Sequence, residues 1–492
     1  EESTGFPREV MVMLEPVDSP ELPIREPAVA GYFYPGDARE LRAEIDDFLR
    51  AVPRRELPGR ILGLISPHAG YPYSGPVAAH GYAQLVGRKI RRCVVVAPSH
   101  VEAFPGASVF PGRAYRTPLG EIPVDVEFCR RLAESGGARL SNHGHFSGRG
   151  GRGEHSLEVQ LPFLQVTLGE FHLVPVVVGR QDMTTCRRLG LALGELMDEE
   201  TLVVASSDLS HYHPDEQARR LDRKVADAVA AWDYYSLHQL VELGEAEACG
   251  TGPIVAAMIA AQRIGGNCAK VLHYGTSGDV PSGRRDAVVG YLSAALLLDE
   301  SAPEIALPEL DIDEIRSLFD LARRAVERAV LGGVPVASSE RVSSALQRPA
   351  AVFVTLREGG HLRGCIGSTV ARVPLYQAVT QSAASAAMQD PRFIPVRLDE
   401  LAVLEYEISI LSPLRLIVSP EEIEIGRDGL MVELDGYRGL LLPQVAVEHG
   451  WDRDTFLAQT CIKAGLPPDA WRDPDAVLWA FSALVLEEPD RS

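Results

Sequence analysis

Four short apolar runs constrain this chain more than any other feature: Ile61 to Ile65, Cys93 to Ala97, Leu173 to Val178 and Leu202 to Ala205. Each is rich in Leu, Ile or Val and is bounded by polar residues, Gly or Pro. That is the pattern of central strands in a sheet covered on both faces. Helical spacing occurs between the runs. Asp37 followed by Glu40 marks a helix start, and Leu41, Ile45, Phe48 and Leu49 repeat behind it at helical period. Strands alternating with helices predict an α/β domain with helices on both faces of the sheet.

A chain of 492 residues exceeds what one core holds, since single cores stop growing at about 250–300 residues. The α/β domain is expected over residues 1–300, a Pro-containing linker over 301–310 and a second domain over 311–492. In the second domain Ile315, Leu318, Phe319, Ala322 and Val326 keep helical spacing from a start near Ile312. A strand is predicted from Ala351 to Leu356, a tight segment from Leu362 to Ser368, a helix from Leu375 to Met388 and an alternating strand from Leu404 to Leu411. The mixture lacks regular βαβ order and predicts an α+β fold.

The formal net charge is −20, and such a surface repels phosphate backbones and anionic lipid heads. Nucleic acid and membranes are therefore not expected partners. Arg149 and Arg152 form the densest basic patch and are read as loop. Seven cysteines without CxxC spacing fit reduced thiols better than a disulfide framework. The longest apolar stretch, Ala287 to Leu298, is interrupted by Gly290, Tyr291 and Ser293 and falls short of the ~18 residues of a membrane span. The acidic start at Glu1-Glu2 is unlike a secretory signal, so a cytoplasmic location is expected.

Chemistry concentrates where strands end. Ile61 to Ile65 runs into Ser66-Pro67-His68, Cys93 to Ala97 into Pro98-Ser99-His100, and Leu202 to Ala205 into Ser206-Ser207-Asp208-Leu209-Ser210-His211. The C-terminal edge of an α/β sheet is where ligands bind. Cys249 comes just before an amphipathic stretch, Ile254 to Ile264, with Pro253 suited to the first helical turn. A thiol near that helix start would favour its thiolate form. Two imidazoles and a thiolate are a sufficient ligand set for a borderline or soft metal with an open position. The alternative is two hydrogen-bonded loop histidines and an inert buried thiol.

Asp208 beside His211 would supply an acid or base near neutral pH, or Asp208 would only cap a turn and His211 would be exposed. Glu154-His155-Ser156 precedes a helical stretch, Leu157 to Leu164, and reads as its cap, or places His155 toward substrate. No GxSxG or P-loop is present. Gly148 to Gly153 matches GxGxxG, but no strand precedes it. Cys365, between Gly364 and Gly367 and beside Arg363, is a reactive thiol in a tight turn or a small residue where backbones meet.

These motifs resemble two known families. Pro27 to Pro35, Ser66-Pro67-His68-Ala69-Gly70-Tyr71, Pro98-Ser99-His100, Tyr115-Arg116-Thr117-Pro118, Glu154-His155-Ser156, Ser206-Ser207-Asp208 and Ala248-Cys249-Gly250 look, in that order, like the Memo family. Leu362 to Gly367 and Asp390-Pro391-Arg392-Phe393 look like the AMMECR family. The pairing resembles the bacterial and archaeal system in which both families accompany a radical-SAM protein. The Memo family is similar in fold to class III extradiol dioxygenases, whose non-haem iron is held by two histidines and a carboxylate.

The resemblance implies that His68 and His100 match the two histidine ligands, that Cys249 stands where the carboxylate would, and that His211 is the acid/base. His155 and Tyr71 are carried over as residues beside the ligands or facing substrate, and Arg363 and Cys365 as a second-domain site. Iron is the first metal implied, with copper or zinc admitted by the thiolate. Two functions follow as expectations. One is a metal-dependent oxidoreductase in which His211, oriented by Asp208, moves a proton. The other is a module that binds a peptide or protein in the same crevice without turnover.

Overall fold

In the computed structural model, which describes residues 22–146, 153–303, 307–335 and 342–488, the four apolar runs form the middle of a nine-stranded sheet. Arg60–Ser66, Thr201–Ser206, Arg92–Pro98 and His172–Val178 lie side by side in that order and all parallel. Beyond the first residue of each, these strands are buried throughout, which is why their sequences show no polar alternation. The flanks are antiparallel, a departure from the regular βαβ reading. Val288–Leu298 runs against Arg60–Ser66 and also pairs with Cys268–Thr276 and Asp208–His213. On the far side Ala107–Val109 runs against His172–Val178.

The helix Ala38–Ala51 begins where Asp37 accepts the N–H groups of Arg39 and Glu40, and it buries Leu41 and Ile45. The helix Thr251–Arg263 departs from expectation. It is buried from Thr251 to Ala261 rather than amphipathic, because Met183–Leu196 covers the face turned away from the sheet. Gly190 and Gly194 allow that approach: a Cβ on Gly190 would lie 2.8 Å from the Ala256 carbonyl, and one on Gly194 would lie 2.5 Å from Arg263 Cβ. Among the described residues no helix is long and apolar enough to cross a membrane. All seven cysteines are free thiols. The basic pair Arg149 and Arg152, and with them most of the GxGxxG stretch, lie outside the described residues.

The second domain is α+β. Its helix Ile312–Val330 starts with a reciprocal cap between Asp311 and Glu314, and it packs with Leu375–Met388 on one face of an antiparallel sheet. The strand order there is His361–Ser368, Ala351–Glu358, Leu404–Leu411, Ala483–Glu487. A smaller sheet of Arg415–Ile417, Val477–Phe481, Gly429–Leu434 and Tyr437–Leu441 follows, with the helix Arg453–Lys463 against it. Leu414, Leu416, Met431, Trp479 and Phe481 join the core of the first domain, so the two domains share apolar contacts.

Gly364 shows why the tight segment Leu362 to Ser368 needs its glycines. A Cβ there would lie 2.2 Å from the Ala386 carbonyl on the helix Leu375–Met388. Gly364→Ala is expected to destabilise the protein by about 1–3 kcal/mol. A lower midpoint in urea would register this, and an unchanged midpoint would mean that the helix stands further from the strand.

Candidate metal centre

His68 lies two residues past the strand Arg60–Ser66 and His100 two past Arg92–Pro98, which puts both at the C-terminal edge of the parallel sheet. Cys249 reaches the same edge from the loop before Thr251–Arg263. That loop is tied down at three points: Cys249 N–H donates to the Asp208 carbonyl (3.1 Å), Gly250 N–H to Ser207 Oγ (2.9 Å) and Gln181 Nε2 to the Cys249 carbonyl (2.8 Å). A Cβ on Gly250 would lie 2.2 Å from the Ser206 carbonyl, so only glycine lets the loop lie flat there. The ligand atoms of His68, His100 and Cys249 lie within 4.8 Å of one another, with Cys249 Sγ 3.2 Å from His68 Nε2.

The hydrogen-bond network decides which ring nitrogens carry lone pairs. Ser206 Oγ donates to the Ser156 carbonyl (2.6 Å) and accepts from Gln160 Nε2 (2.8 Å). With its proton committed, it must also accept from His68 Nδ1 (2.8 Å), so His68 carries hydrogen on Nδ1 and a lone pair on Nε2, toward the sulfur. His100 Nδ1 faces the Glu154 carboxylate at 3.1 Å, which leaves its Nε2 free in the same way.

Glu154, read from the sequence as a cap, has a larger part. The helix starts only at Gln160, later than the expected Leu157, so Glu154 is not its cap. The carboxylate accepts the N–H groups of His155 and Ser156 in the turn before it, and also the backbone N–H and the imidazole of His100. Burial pushes this carboxyl up, but the His100 contacts outweigh burial and hold it at about 2. His100, Glu154 and His155 form a second group of metal-competent residues. Its carboxylate is already saturated by these four donors, so the lone pairs left free belong to the first group. Glu154 and Ser206 stand in motifs quoted from the sequence, but nothing in those motifs marks them as supports of a metal ligand, and Gln160 stands in none. His155 stacks on His100 with ring centroids 4.8 Å apart and is about one-fifth exposed, so it lines the crevice beside the ligands.

His211 falls within the strand Asp208–His213 rather than in a loop after Thr201–Ser206. Its Nδ1 donates to the Leu209 carbonyl (2.8 Å), which leaves Nε2 as an acceptor, and burial lowers the basicity of the ring. The Asp208 carboxyl is not what orients it. One oxygen of Asp208 accepts the backbone N–H of His68 (2.8 Å) and the other lies 4.0 Å from His68 Nε2, so Asp208 serves a metal-ligand candidate instead. Burial pushes this carboxyl up to about 7, against the opposing pull of the His68 N–H. Burial also raises the Cys249 thiol, which overrides the expected gain in acidity from the nearby helix start. The Asp208 N–H, 3.3 Å from Sγ, points at the sulfur.

Three other candidates have structural places. Tyr71 is 1% exposed, donates its hydroxyl to the Val159 carbonyl and packs on Phe163, so it lies in the core of the domain. Arg363 is committed to Glu400 and to the Ile394 and Pro395 carbonyls, which pins the loop past Asp390. Cys365 lies within the strand His361–Ser368, opposite Thr355, rather than in a tight turn; it is half-buried, accepts a hydrogen bond from Thr355 and is made less acidic by burial.

The fold and site define an α/β protein with a mixed sheet, at whose parallel C-terminal edge two histidines and a cysteine form a candidate metal-binding group. Residues 25–295 match the Memo-like protein family and residues 319–486 match AMMECR1. The chain belongs to the Memo-like family and carries an AMMECR1 domain behind it. A MEMO1 family protein of Methanopyrus kandleri is 39% identical over 282 residues, covering 54% of this chain and 96% of its own length. One from Aeropyrum pernix is 40% identical over 282 residues, covering 54% and 98%. The crystal structure of an uncharacterized protein from Pyrococcus horikoshii is 43% identical and covers 36% of this chain and 93% of that one, with a TM-score of 0.35.

Proposed function

We propose that this chain is a metal-dependent oxidoreductase whose first domain holds one transition metal on His68, His100 and Cys249. Iron is the first candidate, with copper and zinc as alternatives. One observation carries the reading: the hydrogen bonds of Ser206 and Glu154 turn the free lone pairs of His68 and His100 inward, where the Cys249 sulfur also lies. Loops that only satisfied their histidines would have no need to align three donors. A metal held there would supply Lewis-acid or redox chemistry at an open position.

The chain's own residues do the rest. Asp208 fixes the backbone of His68 and lends its N–H to the Cys249 sulfur. His211 presents an unprotonated Nε2 and takes a proton from a bound substrate. His155, stacked on His100 and packed at a tilt against Phe33, forms the wall against which a small molecule or a peptide side chain would lie. A radical-SAM protein is the partner that the pairing of domains suggests.

Elemental analysis after purification without oxygen or added metal tests the reading. Near-stoichiometric iron, copper or zinc supports it. If no metal is taken up even on reconstitution with each ion, the oxidoreductase reading fails and the crevice is left as a peptide-recognition site.

A further inference from the structure

We infer that the second domain is a brace for the metal centre: it grips the helix Tyr234–Glu242 and the loop behind it, and two chains of contacts carry that grip to Cys249 and His211. The contacts stand on their own, and only their consequence for metal binding rests on the reading above.

The grip is apolar at its centre. Trp479 is fully buried and packs edge-on against Tyr235, with ring centroids 5.0 Å apart. Its Nε1 donates to Glu433, which also accepts the Tyr235 hydroxyl. Around this anchor the backbone of the second domain donates twice into the first turn of the helix. Leu416 N–H meets the Tyr234 hydroxyl oxygen at 2.8 Å and Ala371 N–H meets Ser236 Oγ at 3.0 Å. A joint held only by surface charge would not bury an aromatic side chain and bond two main-chain amides across it.

The first route continues along the helix. The Tyr234 hydroxyl in turn donates to Gln262 Oε1 on Thr251–Arg263 (2.8 Å). One turn beyond Tyr234, His238 Nε2 donates to the Gln181 carbonyl (3.0 Å). The Gln181 carboxamide then clasps the metal-site loop at both ends, donating to the Cys249 carbonyl (2.8 Å) and accepting the Gly252 N–H (2.7 Å). The second route runs through charge. Arg372 pairs with Glu245, which Lys224 also holds at 3.2 Å. Two residues later Glu247 accepts the backbone N–H of His211 (3.3 Å) and the imidazole of His213 (2.8 Å). Both routes end on the segment that positions the thiol and the proton acceptor, and neither passes through the crevice.

The brace therefore predicts that loosening the joint between the domains loosens the Cys249 loop. Backbone hydrogen exchange on the metal-free full chain reads this directly at the amides of Cys249, Gly250 and Gly252, with Val94 to Val96 of the central sheet as an internal reference. Tyr234→Phe and Arg372→Glu are each expected to speed exchange at those three amides by about tenfold without moving the reference. Adding Glu245→Arg and Lys224→Glu to Arg372→Glu, which reverses all three charges of the cluster, should restore protection, which a general loss of stability would not do.

Exchange that quickens at Ala371 and Leu416 but stays unchanged at Cys249, Gly250 and Gly252 would overturn the brace. A Co2+ titration of the same proteins carries the consequence, with affinity expected to fall in the variants whose loop exchanges faster. Wild-type protein that takes up no Co2+ would count against the metal reading alone, because the exchange result decides the brace without it.

Discussion

Cys249→Ser is expected to lower the affinity of the first domain for a thiophilic divalent ion by at least about a hundredfold, more than the loss of a supporting hydrogen bond produces. The sulfur is the soft donor among the three, and a serine hydroxyl at the same place stays neutral and hard at physiological pH. Burial keeps the free thiol protonated, so the ion must displace a proton on binding. The Asp208 N–H aimed at Sγ favours the charge that results. Serine is nearly isosteric, and the backbone ties of Cys249 and Gly250 do not involve the thiol, so the fold should be retained. Competition with a chelator under anaerobic conditions measures the change. An affinity equal to that of the parent protein would remove Cys249 from the ligand set and leave His68 and His100 to account for any bound metal.

The second large effect concerns stability. Arg25 and Glu158 form an ion pair with side chains 3% and 0% exposed. Glu158 also accepts the N–H groups of Ala28 and Val29 and the Tyr34 hydroxyl, so one carboxylate holds the whole segment Pro27 to Pro35 against the domain. Glu158→Ala would leave the Arg25 guanidinium buried without its counter-charge, and removing one partner of such a pair destabilises by about 3–5 kcal/mol. Unfolding in urea should show a midpoint lowered to match, with far-ultraviolet circular dichroism unchanged in native buffer. Replacing Arg25 and Glu158 together by apolar residues of similar volume should recover only the part of the loss that comes from the unpaired charge, because the Ala28 and Val29 N–H groups and the Tyr34 hydroxyl still lose their acceptor. A single variant as stable as the parent would mean that water reaches the guanidinium.

Much of this was legible in the sequence because central strands declare themselves by composition and their ends follow directly. His68 and His100 were found by that route, and Cys249 by its place before a helix. The supports were not legible. Glu154 meets His100 across 54 residues, and Ser206 meets His68 across 138, separations that no local pattern encodes. Asp208 and His211 misled for the opposite reason. They are neighbours in sequence, but the imidazole is met by the Leu209 carbonyl and the carboxylate by His68. Tyr71 stands in a motif beside the ligands, and the packing of Phe48 and Phe163 around it, which takes it into the core, depends on elements far away in the chain. In sequence the antiparallel flank Val288–Leu298 shows only as an interrupted apolar stretch, since its pairing partners come from distant segments.

The shared core between the domains has a consequence for how the chain is made. Tyr234 and Tyr235 pack on Trp479, which lies in one of the final strands. On a ribosome the first domain is complete in sequence long before that tryptophan emerges, and domains generally fold as units in order of synthesis. Until then an aromatic face stands open to water on a nascent chain. Elongation that pauses late in the second domain would prolong that exposure, and a chaperone that covers aromatic surface would act in that interval.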